Sequence, residues 1–201
     1  MTGYNTLVTF SSGNPLAAAD LNNNFANSDY LRYMVNAQFI LPASSMWPEQ
    51  TAPAVYSGGV EMTTNKNNYQ FMDFADGSFL GAEIAFPMPA DYNGSTLTAK
   101  FYWTANSALT TDVVWGIRGA CVADNESLDA SLGTAQSVTD SHNGTAYKLN
   151  ISASTSAITL AGTPAAGELV HWRIYRDPTY VSDTFAATAR LIAVVVSYTR
   201  S

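Results

Sequence analysis

From about residue 41 onward, apolar and polar residues alternate in short runs cut by Gly, Pro and Asn turns, a pattern that confines the chain to sheets with one buried face. In residues 96–103, Leu97, Ala99, Phe101 and Trp103 point one way, and Thr96, Thr98, Lys100 and Tyr102 the other. Residues 112–122 repeat this with Val113, Trp115, Ile117 and Cys121, and residues 168–176 with Val170, Trp172 and Ile174. Trp103, Trp115, Trp172 and Cys121 are therefore expected in the core. Further strands are expected at 69–74, 79–86, 134–139, 147–151, 157–160 and 183–198. Asp76-Gly77, Asn93-Gly94, Asn143-Gly144 and Ala166-Gly167 supply turn chemistry between them. This is the spacing of an all-β sandwich or barrel, and the fold class expected over residues 41–201 is an all-β, antiparallel β-sandwich.

Residues 1–40 have a different character: an extended arm followed by one α-helix. Asn14 suits the N-cap and Pro15 the first helical position. Leu21, Phe25, Leu31 and Val35 then fall near one face at helical spacing, while Asn22, Asn23 and Asn24 weaken intrinsic propensity. Such a helix needs a partner, either its own domain or a neighbouring subunit.

The final run is the most informative. Phe185, Ala187, Ala189, Leu191, Ala193 and Val195 form one apolar row, yet Ile192, Val194, Val196 and Tyr198 are apolar on the other face. Cover by the helix, an oligomer interface or a phase shift at a β-bulge would each account for it. For assembly, the candidate residues are Leu21, Phe25, Leu31 and Val35 of the helix and Ile192, Val194, Val196 and Tyr198 of the last strand.

Composition narrows the function. Only 12% of the 201 residues are charged, about half of the roughly 25% usual in soluble domains, which points to surface covered by other chains. Nine basic against 16 acidic residues, scattered singly, give a net charge of −7 and disfavour nucleic-acid binding. No run approaches the roughly 20 apolar residues of a membrane span, and no secretory leader is legible, so synthesis in a cytoplasm is expected.

Chemistry is sparse. With two histidines, His142 in a turn and His171 on an outward row beside Arg173 and Tyr175, and no nucleophile motif, no catalytic constellation stands out, and a non-enzyme is expected. One cysteine rules out an internal disulfide. The acidic stretch 124–129 offers oxygen ligands but lacks the glycine and spacing of a calcium loop, so no metal or cofactor is expected. Trp47, Tyr92, His142 and Tyr147, with loops 91–95 and 140–145, are the candidate glycan contacts, Trp47 having as its alternative role a plug between helix and sandwich.

The segment FSSGNPLAAADLNNNF at residues 10–25 resembles the opening of many tailed-bacteriophage fibre and virion proteins. Residues 41–48 (LPASSMWP), 74–124 and 170–199 look like a phage surface β domain. The resemblance implies a jelly-roll-like sandwich, a homotrimer on the virion surface, and attachment through the arm to a major capsid protein or other virion proteins. The chain has no long shaft between anchor and head, which favours a capsid cement, decoration or short spike protein. The alternative is a tail-fibre module that binds a host-surface glycan. No catalytic residue comes with the resemblance.

Overall fold

The computed structural model of the chain describes residues 36–200. Its strands are β1 (Asn36–Pro42), β2 (Trp47–Pro48), β3 (Val55–Glu61), β4 (Asn68–Phe74), β5 (Leu80–Pro87), β6 (Thr98–Thr104), β7 (Asp112–Val122), β8 (Gln136–Ser141), β9 (Asn150–Ile151), β10 (Leu169–Arg176) and β11 (Ala189–Thr199). They form two antiparallel sheets, one ordered β3-β4-β11-β6-β9 with β1 also on β11, the other β2-β5-β10-β7-β8. The pairs β7–β8, β6–β9, β5–β10 and β4–β11 make one long hairpin, and its fold-over adds the pairs β10–β7 and β11–β6. That winding is a jelly roll; the alternation predicts the all-β class, and the jelly-roll form is what the resemblance implies.

The legible strands fall close to their expected places, and residues 112–122 form β7 along their whole length. Residues 157–160 contribute only an isolated bridge, Leu97 to Ile158, and residues 183–188 are a loop leading into β11. The arm and helix, with Leu21, Phe25, Leu31 and Val35, lie outside the described residues. Residues 36–40, assigned by sequence to that segment, are instead strand, paired with β11 from Asn36–Thr199 to Pro42–Ala193. Among the described residues the helical structure is one 3-10 turn, Ala43–Ser45, and no helix is long and apolar enough to cross a membrane.

The core lies between the sheets. Trp103, Trp115 and Trp172 are fully buried there, with Phe101 stacked on Trp115 at 5.6 Å and Phe74 edge-on to it at 5.2 Å. Cys121 is buried with them. At one end, Arg176 turns inward with no exposed surface and meets the equally buried Asp183 at 2.7 Å. Its remaining donors reach the carbonyls of Phe74 (3.1 Å), Phe185 and Ala187 (2.7 Å).

The apolar rows of the last strand are resolved by a bulge. Pairing with β6 steps from Leu191–Trp103 to Ala193–Tyr102, leaving Ile192 as the extra residue. Before the bulge Ala189 and Leu191 face inward; after it Val194, Val196 and Tyr198 do. One inserted residue shifts a period-2 pattern by one step. The assembly face expected at Val194, Val196 and Tyr198 is therefore corrected: these three pack inside the chain's own core, and only Ile192 of that set remains partly exposed.

A lysine at Val194 would place an ammonium between the sheets with no anion beside it. Val194→Lys is expected to cost more than about 4 kcal/mol and to abolish the cooperative thermal transition. A stable, folded variant with altered oligomeric mass would place this side chain on a surface.

Candidate functional site

The outward face of the first sheet carries a cleft of about 620 Å³. Its floor comes from neighbouring strands: Tyr69 and Phe71 of β4, Ile192 of β11, and Tyr102 and Thr104 of β6. The bulge of β11 lies at this floor, Ile192 being its extra residue. One wall is the β3–β4 turn, contributing Glu61, Thr63, Thr64, Asn65 and Asn67; the other is the segment before β9, with Tyr147 and Leu149.

Both walls are held by backbone geometry. In the turn, Met62 N–H donates to Asn67 O (2.8 Å) and Lys66 N–H to Met62 O (3.1 Å), with Lys66 in the left-handed region at φ 59°. Tyr147 has the same unusual backbone, φ 59°, and its N–H donates to Ala105 O at 2.8 Å. A non-glycine residue held there is strained and persists only where its surroundings fix it. Against the Tyr147 ring lies Arg190 of β11. Its guanidinium lies 5.7 Å from the ring centroids of both Tyr147 and Phe71, and its Nε is 3.5 Å from Asp73 Oδ1. Burial pushes the Asp73 carboxyl up from its ordinary range, and the Arg190 charge offsets part of that rise.

The floor presents aromatic faces. The rings of Tyr69 and Phe71 lie 6.1 Å apart with planes within 14°, and Tyr69 keeps 44% of its surface exposed. Phe71 is buried beneath Arg190, outside the core between the sheets. Around this platform stand the amides of Asn65 and Asn67 and the hydroxyls of Thr63, Thr64 and Tyr102. Apolar faces ringed by neutral donors and acceptors bind ligands that have both characters.

The four glycan candidates divide. Tyr147 lines the cleft. Trp47 is 46% exposed, but on β2 at the edge of the other sheet, opposite Glu83. Tyr92 is corrected to a buried residue: its hydroxyl donates to Ser95 O (2.9 Å) and its ring meets Tyr198 edge-on. His142 is corrected as well, being 1% exposed rather than a solvated turn residue. Its ring packs on Trp103 and Phe185, and Nδ1 lies 2.7 Å from Leu109 O. Turn chemistry drew attention to it, and the aromatic pocket that takes it in is a tertiary feature.

Tyr69, Phe71 and Tyr102 were not singled out as binding residues. The available signal was residues 69–74, where Tyr69 and Phe71 alternate with Met72 and Phe74, so both faces carry large apolar side chains. The acidic loop 124–129 closes on itself through Glu126 to Ala123 N–H (2.9 Å) and Asn125 to Asp124 (2.9 Å). Among the described residues no group of three or more His, Cys, Asp or Glu side chains is placed to hold a metal ion.

No protein-family model matches the chain, and no curated protein does. Among solved structures, similarity extends to the CBM35 from Cellvibrio japonicus Abf62, at 9% identity and TM-score 0.42 over 80% of this chain and 92% of that one. The enzymatically active domain of bacteriophage CBA120 tailspike protein 4 aligns at 10% identity and TM-score 0.34, over 79% and 19%. The infectious bursal disease virus Gx strain structure aligns at 6% identity and TM-score 0.38, over 83% and 32%. Likeness this distant does not assign a function.

Tyr198 gives a pH test of its corrected position. Burial and a hydrogen bond to Asp91 push its hydroxyl from 10.0 up to about 12. The native state thus holds this proton more tightly than the unfolded chain, and the stability it contributes is complete below pH 10 and lost as pH rises through about 12. Denaturant unfolding between those limits is expected to show falling stability, with a shallower fall in Tyr198→Phe. An equal slope in the variant would count against the buried hydroxyl.

Proposed function

We propose that this chain is a non-enzymatic glycan-recognition domain carried on a virion surface, holding sugar in the cleft above Tyr69 and Phe71. The observation that carries the binding role is the platform itself, the exposed ring of Tyr69 backed by the buried Phe71 and ringed by amides and hydroxyls. A sugar ring has an apolar C–H face that rests on such a floor and a rim of hydroxyls that exchanges hydrogen bonds with Asn65, Asn67 and the threonines. Nucleic-acid bases also stack on aromatic rings, but their backbones need a basic groove. Here, among the described residues, the one charged lining side chain is Glu61, and the whole chain carries −7.

Binding without cleavage is favoured by that same inventory. Glycoside hydrolysis in most families needs two carboxyl groups flanking the bond, and among the described residues Glu61 is the one carboxylate in the lining. The virion setting rests on the resemblance of residues 10–25 to phage attachment segments.

A second reading, assembly as a homotrimeric cement or decoration protein on the major capsid protein, has its own support on the same sheet. Ile40 is 63% exposed beside its half-exposed partner Val195, and Ile151 is 47% exposed at the far edge. Exposed apolar side chains across one sheet face suit a contact with another chain. Light scattering that finds a dilution-stable species of three times the 21.5 kDa chain mass supports that reading. A monomer removes the trimer and leaves the glycan site standing.

The binding role is tested on a glycan panel with Tyr69→Ala. Because Tyr69 is half-exposed, the fold is expected to survive, while affinity for a bound glycan drops by about tenfold or more, the loss of ~1.4 kcal/mol of ring contact. Unchanged affinity would remove the platform from recognition, and sugar released from the panel would show an enzyme.

A further inference from the structure

The charges near the cleft decide which sugars it takes. Glu61 stands at its rim, with Lys66 3.1 Å away; both are exposed, at 51% and 67% of their side chains. Water screens so open a pair, and neither long side chain is held in place by it. The second cation is Arg190, and it is already committed. It faces Asp73 at 3.5 Å, lies between the rings of Phe71 and Tyr147, and keeps only 20% of its side chain exposed. Lys100 and Lys148 are exposed and stand outside the lining residues. Among the described residues the lining of the cleft therefore offers an incoming ligand one carboxylate, several neutral donors and acceptors, and no cation, with Lys66 standing outside the lining at the rim.

From this we infer that the cleft selects uncharged sugar chains and discriminates against anionic ones, such as sialylated or uronate-containing glycans. The inference rests on the glycan-binding reading of the same cleft and adds the ligand class to it. A carboxylate on the sugar would approach Glu61, whose charge the exposed and screened Lys66 offsets only in part, and like charges a few ångströms apart at a partly desolvated surface repel. Neutral hydroxyls meet no such cost and are matched by Asn65, Asn67 and the threonines. Glu61 itself accepts hydrogen bonds from them, and a charged acceptor forms stronger ones than a neutral acceptor.

The test measures affinity by titration calorimetry for neutral oligosaccharides of glucose, galactose, mannose and N-acetylhexosamines. Each is matched with a counterpart of the same size bearing sialic acid or a uronate. Neutral members are expected to bind, with their anionic counterparts weaker by about tenfold at low salt and by less at high salt, where screening shortens the reach of Glu61. Glu61→Gln should raise the ratio of anionic to neutral affinity towards one. Lys66→Asn, a residue that tolerates the left-handed backbone at that position, should lower it further. Anionic counterparts that bind as tightly as neutral ones, or a ratio unmoved by Glu61→Gln, would overturn the charge selection while leaving glycan recognition intact. Failure of every sugar to bind would overturn both.

Discussion

The buried pair of Arg176 and Asp183 is the constraint on which this molecule's geometry turns. Two charges with no exposed surface cost several kcal/mol each to desolvate, and only near-complete pairing offsets that. Arg176 achieves it by meeting Asp183 and the carbonyls of Phe74, Phe185 and Ala187, while Asp183 also accepts from Val114 N–H at 2.9 Å. Four parts of the chain converge there: the ends of β4 and β10, the start of β7, and the loop before β11. Loss of either partner would leave the other charge buried and alone, at about 3–5 kcal/mol, against a total stability of roughly 5–15 kcal/mol for a domain. The pair also locates the cleft. Phe74 ends the strand that carries Tyr69, Phe71 and Asp73, and Ala187 precedes the strand that carries Arg190 and Ile192.

The β11 bulge is the second fixed point, and it joins core to site. A strand that runs through the middle of a sheet has to fill the core along its whole length, yet here the apolar row changes sides partway. The extra residue lets Leu191 and Val194 both face inward, so that Val194 and Val196 fill the core while Ile192 stays at the cleft floor. Had the strand kept its phase, Ala193 and Val195 would fill the core where Val194 and Val196 now do, a smaller volume and a poorer fit.

Sequence alone carried the architecture further than the site. Period-2 alternation placed Trp103, Trp115 and Trp172 in the core because each sits in a run whose opposite face is polar. It missed β3, whose residues Ser57, Gly58 and Gly59 give no apolar row, and β1, which lies next to a segment patterned as a helix. In β11 a period of two could not place the bulge that shifts it. The candidate contacts were drawn from loops, where Tyr147 proved to line the cleft while Tyr92 and His142 fold inward. The platform itself comes from Tyr69 and Phe71 of β4 and Tyr102 of β6, regular residues of two strands that only the strand order brings together. A local pattern shows which face a side chain takes, but not which neighbouring strand lies beside it.

Arg190 explains why these separate pieces could act as one surface. A cation between two rings is attracted to both π faces, at about 0.5–1 kcal/mol each when exposed and about 2 when desolvated. Asp73 fixes the guanidinium from the side, so Tyr147, on a strained backbone, and Phe71, on a strand, share one anchor. Rings fixed before a ligand arrives lose little freedom when it binds, and each immobilised side chain otherwise costs about 0.5–1.5 kcal/mol. The same arrangement uses the charge of the partly buried Arg190 to hold the platform together. A charge spent on preorganisation is not free to attract a ligand, so shape and neutral hydrogen bonds are left to do the selecting.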